Sequence, residues 1–397
     1  MKKTIIILAV FVTVFVAYFA VKGAEFYKGI YKNGSAQLHS IQPVDKKIFN
    51  ILLLGYGGFD AKGIPHDGTY LTDSMMVASI DIEKNKVSLI SLPRDLWVKI
   101  PTKSGADYHA KINSIYQLGL FPKDYPDVDT TKYPETALVK KAVGDITGLQ
   151  IDNYVTVDFL GFTKAIDILG GMVVDVQTTF DDYEYPLDGK EKELCDRESE
   201  FTQIEKYLKP GFDEEEKARL FKEKLELEKF FKDITDDPKV AFPCRYEHLH
   251  FDKGKTFMNG ETALKYVRSR HSLQDGTDFG RAARQQQFVR AIKDRVLSVG
   301  MVTKVVPLLD ELKKHIQMDI SVDESKKFIG ESVDLGKYKI INIHMSDSNY
   351  LKSSFSDYGE YILIPRTGAD SWKEIHSIIQ NGIMEITPTP SPTSSKK

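Results

Sequence analysis

The chain has 397 residues, 42% of them hydrophobic and 28% charged, enough to bury a sizeable core in one large or two medium domains. A formal net charge of -3 excludes a general nucleic-acid binder, which needs a broad basic face, so any basic site must be local. The two cysteines, with no CxxC or HExxH beside them, do not make a tetrahedral zinc site.

Residues 4–21, TIIILAVFVTVFVAYFAV, carry no charge and approach the length needed to cross a bilayer as a helix. Lys2 and Lys3 precede them, and positive residues stay cytoplasmic, so the bulk of the chain is expected outside the cell membrane. A retained anchor over residues 1–23 is favoured over a cleaved signal peptide, because VKGA is a poor cleavage site. Residues 24–47 read as a stalk. In such a compartment Cys195 and Cys244 are candidates for a disulfide closing a loop of about 50 residues, worth about 4 kcal/mol in the chain-entropy model.

IFNILLLGYGG (48–58) predicts a buried strand running into a glycine-rich turn. MMVASIDI (75–82) and KVSLISLP (86–93) predict two strands joined as a hairpin by a short link. Residues 135–147 have helical spacing, YVTVD (154–158) is strand-like, GFTKAIDILGG (161–171) is a helix closed by glycines, and MVVDV (172–176) is a strand. Residues 181–245 change character, becoming acidic and lysine-rich, and read as an insertion pinned by Cys195 and Cys244. Within it 213–234 reads as one amphipathic helix with Leu220, Leu227 and Phe231 on one face. A long helix is expected over roughly 279–298, docked by Ala282, Val289, Ile292 and Val296. A C-terminal α/β portion follows over 301–383, then a disordered Thr/Pro/Ser tail over 384–397. The alternation predicts an α/β fold, a mixed central sheet flanked by helices, preceded by one transmembrane helix.

The richest chemistry lies in YVRSRHSLQDGTDFGRAARQQQFVRAI (266–292). If the stretch is extended, Arg268 and Arg270 point to one face, and Asp278 stands as the N-cap of the long helix. Arg281, Arg284 and Gln285 occupy its first two turns. A helix N-terminus ringed by guanidinium forks attracts phosphate, against the plainer reading of solvated surface arginines. In the hairpin, Asp73 and Arg94 come to the same end, one carboxylate and one guanidinium that suit a Mg²⁺ ligand and a charge clamp, or a simple surface ion pair. In GYGGFDAKGIPHDGTYLTD (55–73) Asp60 and Asp67 are further candidate ligands, or turn residues, and no Walker GKS/T is present. In HAKINSIYQLG (109–119) Lys111 and Asn113 alternate and can face the same site. The histidines are scattered. His248 and His250 flank a leucine in a strand-like run, where a two-histidine metal site is the minor reading.

ILLLG, TDSMMVASI, SLPRD, AKINSIYQLG, TGLQIDNYVTVDFLGFTKAIDILGG and RSR…DFGRAARQQQ, in this order over about residues 48–300, resemble the LytR-CpsA-Psr family of cell-wall enzymes. The resemblance implies a membrane-bound phosphotransferase that moves a glycopolymer from a polyprenyl-pyrophosphate carrier to peptidoglycan. It implies pyrophosphate held by Arg94, Arg268, Arg270 and Arg281 with Gln285 beside them, and Mg²⁺ (or Mn²⁺) on Asp73; Lys111 is added to the pyrophosphate set from its own alternation with Asn113. Asp278, Arg94 and Arg281 take the catalytic roles, with Asp278 the candidate base. The chain departs from the family where many members carry an aspartate after the first strand: Gly57 stands there, and Asp67 is the expected substitute ligand, ahead of Asp60. Two rivals remain: a non-catalytic polyprenyl-phosphate carrier, and a polyprenyl pyrophosphatase.

Overall fold

The computed structural model describes residues 22–32, 47–66, 68–296, 312–321, 324 and 335–385. The apolar segment 4–21, Asp67 and the tail beyond 385 therefore lie outside the described residues. Among those described, no helix is long and apolar enough to cross a membrane. The chain divides into two units: residues 1–174, 257–267 and 282–397 form the first, residues 175–256 and 268–281 the second.

The first unit is built on a six-stranded mixed sheet. Its strands are β1 (Ile48–Tyr56), β2 (Thr72–Asp81), β3 (Lys86–Ser91), β6 (Asn153–Asp158), β11 (Ile316–Met318) and β12 (Lys339–His344), in the order β11-β6-β1-β2-β3-β12. The run FNILLL explains the centre: β1 pairs parallel with β6 and antiparallel with β2, and Phe49, Leu52 and Leu54 are buried. β2 and β3 form the expected hairpin, turned at Asn85 with φ 47°. β2 starts three residues earlier than MMVASIDI, so Asp73 lies inside the strand rather than ahead of it. β4 (Trp97–Ile100) pairs with β5 (Tyr108–Lys111), and β13 (Leu351–Phe355) with β14 (Tyr361–Pro365).

Helix α1 covers residues 22–30. Tyr31 bridges to Met318, and Tyr27 Oη donates to the Ile320 carbonyl at 3.0 Å, so the start of the segment read as a stalk docks on the β11 edge. The unit also holds α2 (Ile115–Leu120), α3 (Thr136–Thr147) and α4 (Phe159–Ile168). α4 is capped by Asp158 and closed by Gly170 and Gly171, both at positive φ. The C-terminal portion is no separate layer, since β11 and β12 extend the two edges of the main sheet.

β7 (Met172–Val176) leads out to the second unit. There β8 (Phe180–Pro186) pairs antiparallel with β9 (Tyr246–Phe251). Between them stand α5 (Glu198–Ile204), α6 (Glu214–Glu223), α7 (Leu225–Asp236) and α8 (Pro238–Ala241). The single helix expected over 213–234 is two, broken at Lys224, whose φ -131° and ψ 82° are not helical. The break lets Phe221, Leu227 and Phe230 share one core with Ile204, Tyr207 and Phe242, while Leu220 and Phe231 pack at its margin. Cys195 is joined to Cys244, with Cα atoms 5.6 Å apart, and packs against this core. β10 (Gly254–Met258), α9 (Gly260–Arg268), α10 (Asp278–Val296) and α11 (Lys373–Met384) complete the chain.

At one end of β8, the Asp181 carboxylate lies against both His248 and His250. The hydrogen bond to Asp181, and then that to Asp252, holds the His250 imidazole above its ordinary value.

The disulfide closes a loop of 49 residues around the small core. Replacing both cysteines with serine is expected to lower stability by about 4 kcal/mol, read as the shift of the second unit's transition in denaturant followed by circular dichroism.

Candidate phosphate site

The first unit brings three sequence-predicted side chains, Asp73, Arg94 and Lys111, together with Asp95. Asp73 Oδ1 accepts a hydrogen bond of 2.8 Å from Arg94 Nη1. Arg94 Nε lies 3.5 Å from Asp95 Oδ2, and Lys111 Nζ lies 3.2 Å from Asp95 Oδ1. The order Asp73–Arg94–Asp95–Lys111 alternates sign, so each cation is held by a carboxylate. The sheet explains the geometry: the β2–β3 register sets Asp73 beside the turn after β3, and the β4–β5 ladder returns Lys111 to it. Asn113 contributes through its backbone. It is buried, its N–H donates to the Arg94 carbonyl, and its own carbonyl accepts from Thr72 Oγ1, so it pins the Arg94 turn to β2.

The glycine-rich turn serves packing. A Cβ on Gly58, at φ 69°, would stand 2.7 Å from Asp158 Cβ, and one on Gly57 would stand 3.1 Å from His66 Cβ. Asp60 acts as a turn residue: its Oδ1 accepts from the N–H groups of Ile64 and Lys62, which draws its carboxyl below the usual range. Asp67 lies outside the described residues. Asp73, with 41% of its side chain exposed, is the carboxylate here that fits Mg²⁺, an ion satisfied by one or two carboxylates together with phosphate oxygens.

The long helix docks partly as expected, with Val289 packed against Met76, Ala78 and Leu89 of the sheet. Ala282, Val289 and Ile292 are only half-buried, and the side chain of Val296 lies outside the described residues. The buried positions of α10 are instead Arg281, Arg284, Gln286 and Phe288. Gln286 Nε2 donates to Ser91 Oγ at 2.7 Å and to the Leu89 carbonyl, while Ser74 Oγ donates to Gln285 Oε1 at 3.0 Å. Arg284 Nε donates to the Tyr266 carbonyl. Gln286, Ser74 and Ser91 were not singled out from sequence, and the QQQ run and the alternation of β2 are the signals that point to them.

The second unit holds the remaining arginines. Arg268 is not in an extended run: it is the last residue of α9, so the two-residue alternation with Arg270 does not apply. Its fork grips Asp188 at 3.0 and 3.2 Å and lies over the Tyr185 ring. Asp182, fully buried and missed from sequence, accepts from Ser269 Oγ at 2.6 Å and from the His271 N–H, fixing the loop that carries Arg270. Arg270 is half-buried and has no carboxylate partner among the described residues. Asp278 is not the N-cap. It is the first residue of α10, and Thr277 Oγ1 caps the helix by accepting from the Gly280 N–H at 3.1 Å. Arg281 Nη2 lies 3.3 Å from Asp278 Oδ1.

A model described as the LytR_cpsA_psr family matches residues 13–368. The chain belongs to that family. The match reaches well past the 48–300 span in which the motifs are legible, as expected where β11 and β12 complete the main sheet. Among its relatives is the Bacillus subtilis (strain 168) polyisoprenyl-teichoic acid–peptidoglycan teichoic acid transferase TagV, 26% identical over 301 residues, 76% of this chain and 57% of that protein. The TagU transferase of Oceanobacillus iheyensis is 25% identical over 281 residues, 70% of this chain and 61% of that protein. The chain thus spans little more than half the length of such curated relatives. For the fold alone, a crystal structure of an Enterococcus faecalis protein called a transcriptional regulator aligns over 85% of this chain and 88% of that one, with 18% identity and TM-score 0.51. A Streptococcus agalactiae structure aligns over 88% and 92%, with 16% identity and TM-score 0.51.

Arg284 is expected to hold structure. Arg284→Ala strands the buried Tyr266 carbonyl and should cost about 1–3 kcal/mol, measured by thermal or chemical unfolding, whereas Arg94→Ala should leave stability within about 0.5 kcal/mol.

Proposed function

We propose that this chain is a transferase that moves a phosphate-linked glycopolymer from a polyprenyl-pyrophosphate carrier onto peptidoglycan. The observation that carries this reading is the Asp73–Arg94 pair, an exposed carboxylate beside a guanidinium fork, in a chain whose family includes named teichoic acid transferases. Arg94, Arg268, Arg270 and Arg281 neutralise the pyrophosphate, and Lys111 and Gln285 assist. Arg270 enters with its fork uncommitted to any carboxylate of the described residues.

The acceptor is a sugar hydroxyl. Its oxygen attacks the phosphorus bonded to the glycan, and the bond from that phosphorus to the carrier's phosphate breaks. The products are a glycan–phosphate–peptidoglycan diester and polyprenyl monophosphate. Asp278 accepts the hydroxyl proton, and Arg281 Nη2 lies 3.3 Å from its Oδ1. Mg²⁺ on Asp73, when bound, supplies positive charge to the phosphate oxygens. The protein contributes mainly position and preorganised charge, as phosphoryl transfer requires.

Residues 4–21 act as a retained membrane anchor in this account, placing the site where a lipid-linked substrate is found. Gly57 favours one alternative, a carrier that binds the lipid without turnover, because a metal ligand is missing there.

The test follows consumption of a short lipid-linked glycan pyrophosphate. Arg94→Ala, Arg281→Ala and the Arg268→Ala/Arg270→Ala double variant should each lose about 10²-fold or more in turnover while keeping the native circular dichroism, and a chelator should stop the reaction in the native protein. Full turnover in the double variant would remove the proposal.

A further inference from the structure

The second unit carries a cluster that the transferase reading does not use. Asp181 on β8 faces His250 across the ladder to β9, and His248 lies two residues along β9, so both imidazoles rise from the same face. Asp181 Oδ1 is 2.7 Å from His250 Nδ1 and 2.9 Å from His248 Nε2. The three ligand atoms all lie within 4.8 Å of one another. We propose that Asp181, His248 and His250 bind a divalent transition-metal ion of the Zn²⁺ class.

The donor set decides the class. Two imidazoles and one carboxylate suit Zn²⁺, Ni²⁺ or Cu²⁺, whereas Mg²⁺ takes oxygen donors at octahedral positions. Three protein ligands leave a fourth position for water or an external group. The surroundings hold the ligands in place. His250 Nε2 lies 3.3 Å from Asp252 Oδ1, the carboxylate contact that sets the tautomer of a metal-binding imidazole and leaves Nδ1 for the ion. The Tyr183 ring stacks on His248 with centroids 4.0 Å apart and planes 4° from parallel. The Asp181 N–H donates to Gln274 Oε1 at 2.9 Å.

The side chains of His248 and His250 are 44% and 48% exposed, so an ion enters directly from solvent. Metal bonds of about 2.1 Å at tetrahedral angles set donors roughly 3.4 Å apart. The His250 and His248 rings need to part from Asp181 by about 0.7 and 0.5 Å, within the freedom of exposed side chains. The ion would tie β8 to β9 one residue from Asp182, which fixes the Arg270 loop. The site shares no residue with the Mg²⁺ proposal, so either stands without the other.

The purified full chain, stripped with chelator and dialysed against Zn²⁺ or Co²⁺, should retain one ion per chain, with a Co²⁺ ligand-field spectrum of nitrogen and oxygen donors. His248→Ala/His250→Ala and Asp181→Asn should each lose that ion, His271→Ala should keep it, and Asp252→Asn should weaken binding by about 10-fold or more. Circular dichroism checks that each variant is folded. No retained ion in the native chain, or equal retention in the folded double-alanine variant, overturns the proposal.

Discussion

Guanidinium–carboxylate pairing is the constraint on which the candidate site depends. In the first unit Arg94 and Lys111 both lie against Asp95, and like charges so placed repel one another until carboxylates hold them. Asp73 and Asp95 hold Arg94, Asp95 holds Lys111, Asp188 holds Arg268, and Asp278 holds Arg281. Each fork is therefore oriented by a carboxylate, and in the proposed reaction that orientation lowers the ordering cost of binding phosphate. The same carboxylates are the groups the proposed reaction needs, Asp73 for the cation and Asp278 for the proton.

Polar side chains also dock the element that leads from the arginines into the sheet. Gln285 and Gln286 bind Ser74 and Ser91 on β2 and β3, and Arg284 binds the end of α9. Such contacts are directional, so they fix the rotation of α10 about its axis more tightly than an apolar stripe would.

The sheet is legible in the sequence because β1, β2, β3 and β6 are apolar runs bounded by turn residues, and the short hairpin link by itself brings Asp73 and Arg94 to one end. The long helix is legible in Val289, which packs on the sheet, but the rule that apolar residues face inward does not reveal Gln286 and Arg284, which find buried polar partners. The break at Lys224 has no glycine or proline to announce it and is set by packing of Phe221 and Phe230 on one core. Thr277 and Asp278 are both good capping residues, and only the hydrogen bond to Gly280 separates them. Asp182 is invisible in the sequence because its partners, Ser269 and His271, lie far along the chain.

The chain belongs to the LytR_cpsA_psr family, and the proposed reaction rests on the Asp73–Arg94 pair. The most direct measurement is mass spectrometry of the products formed by the full chain from a short glycan on polyprenyl pyrophosphate, peptidoglycan fragments and Mg²⁺. The account predicts a glycan–phosphate–peptidoglycan adduct together with polyprenyl monophosphate. Glycan monophosphate released to water without an adduct, or lipid that stays bound and unchanged, would contradict it.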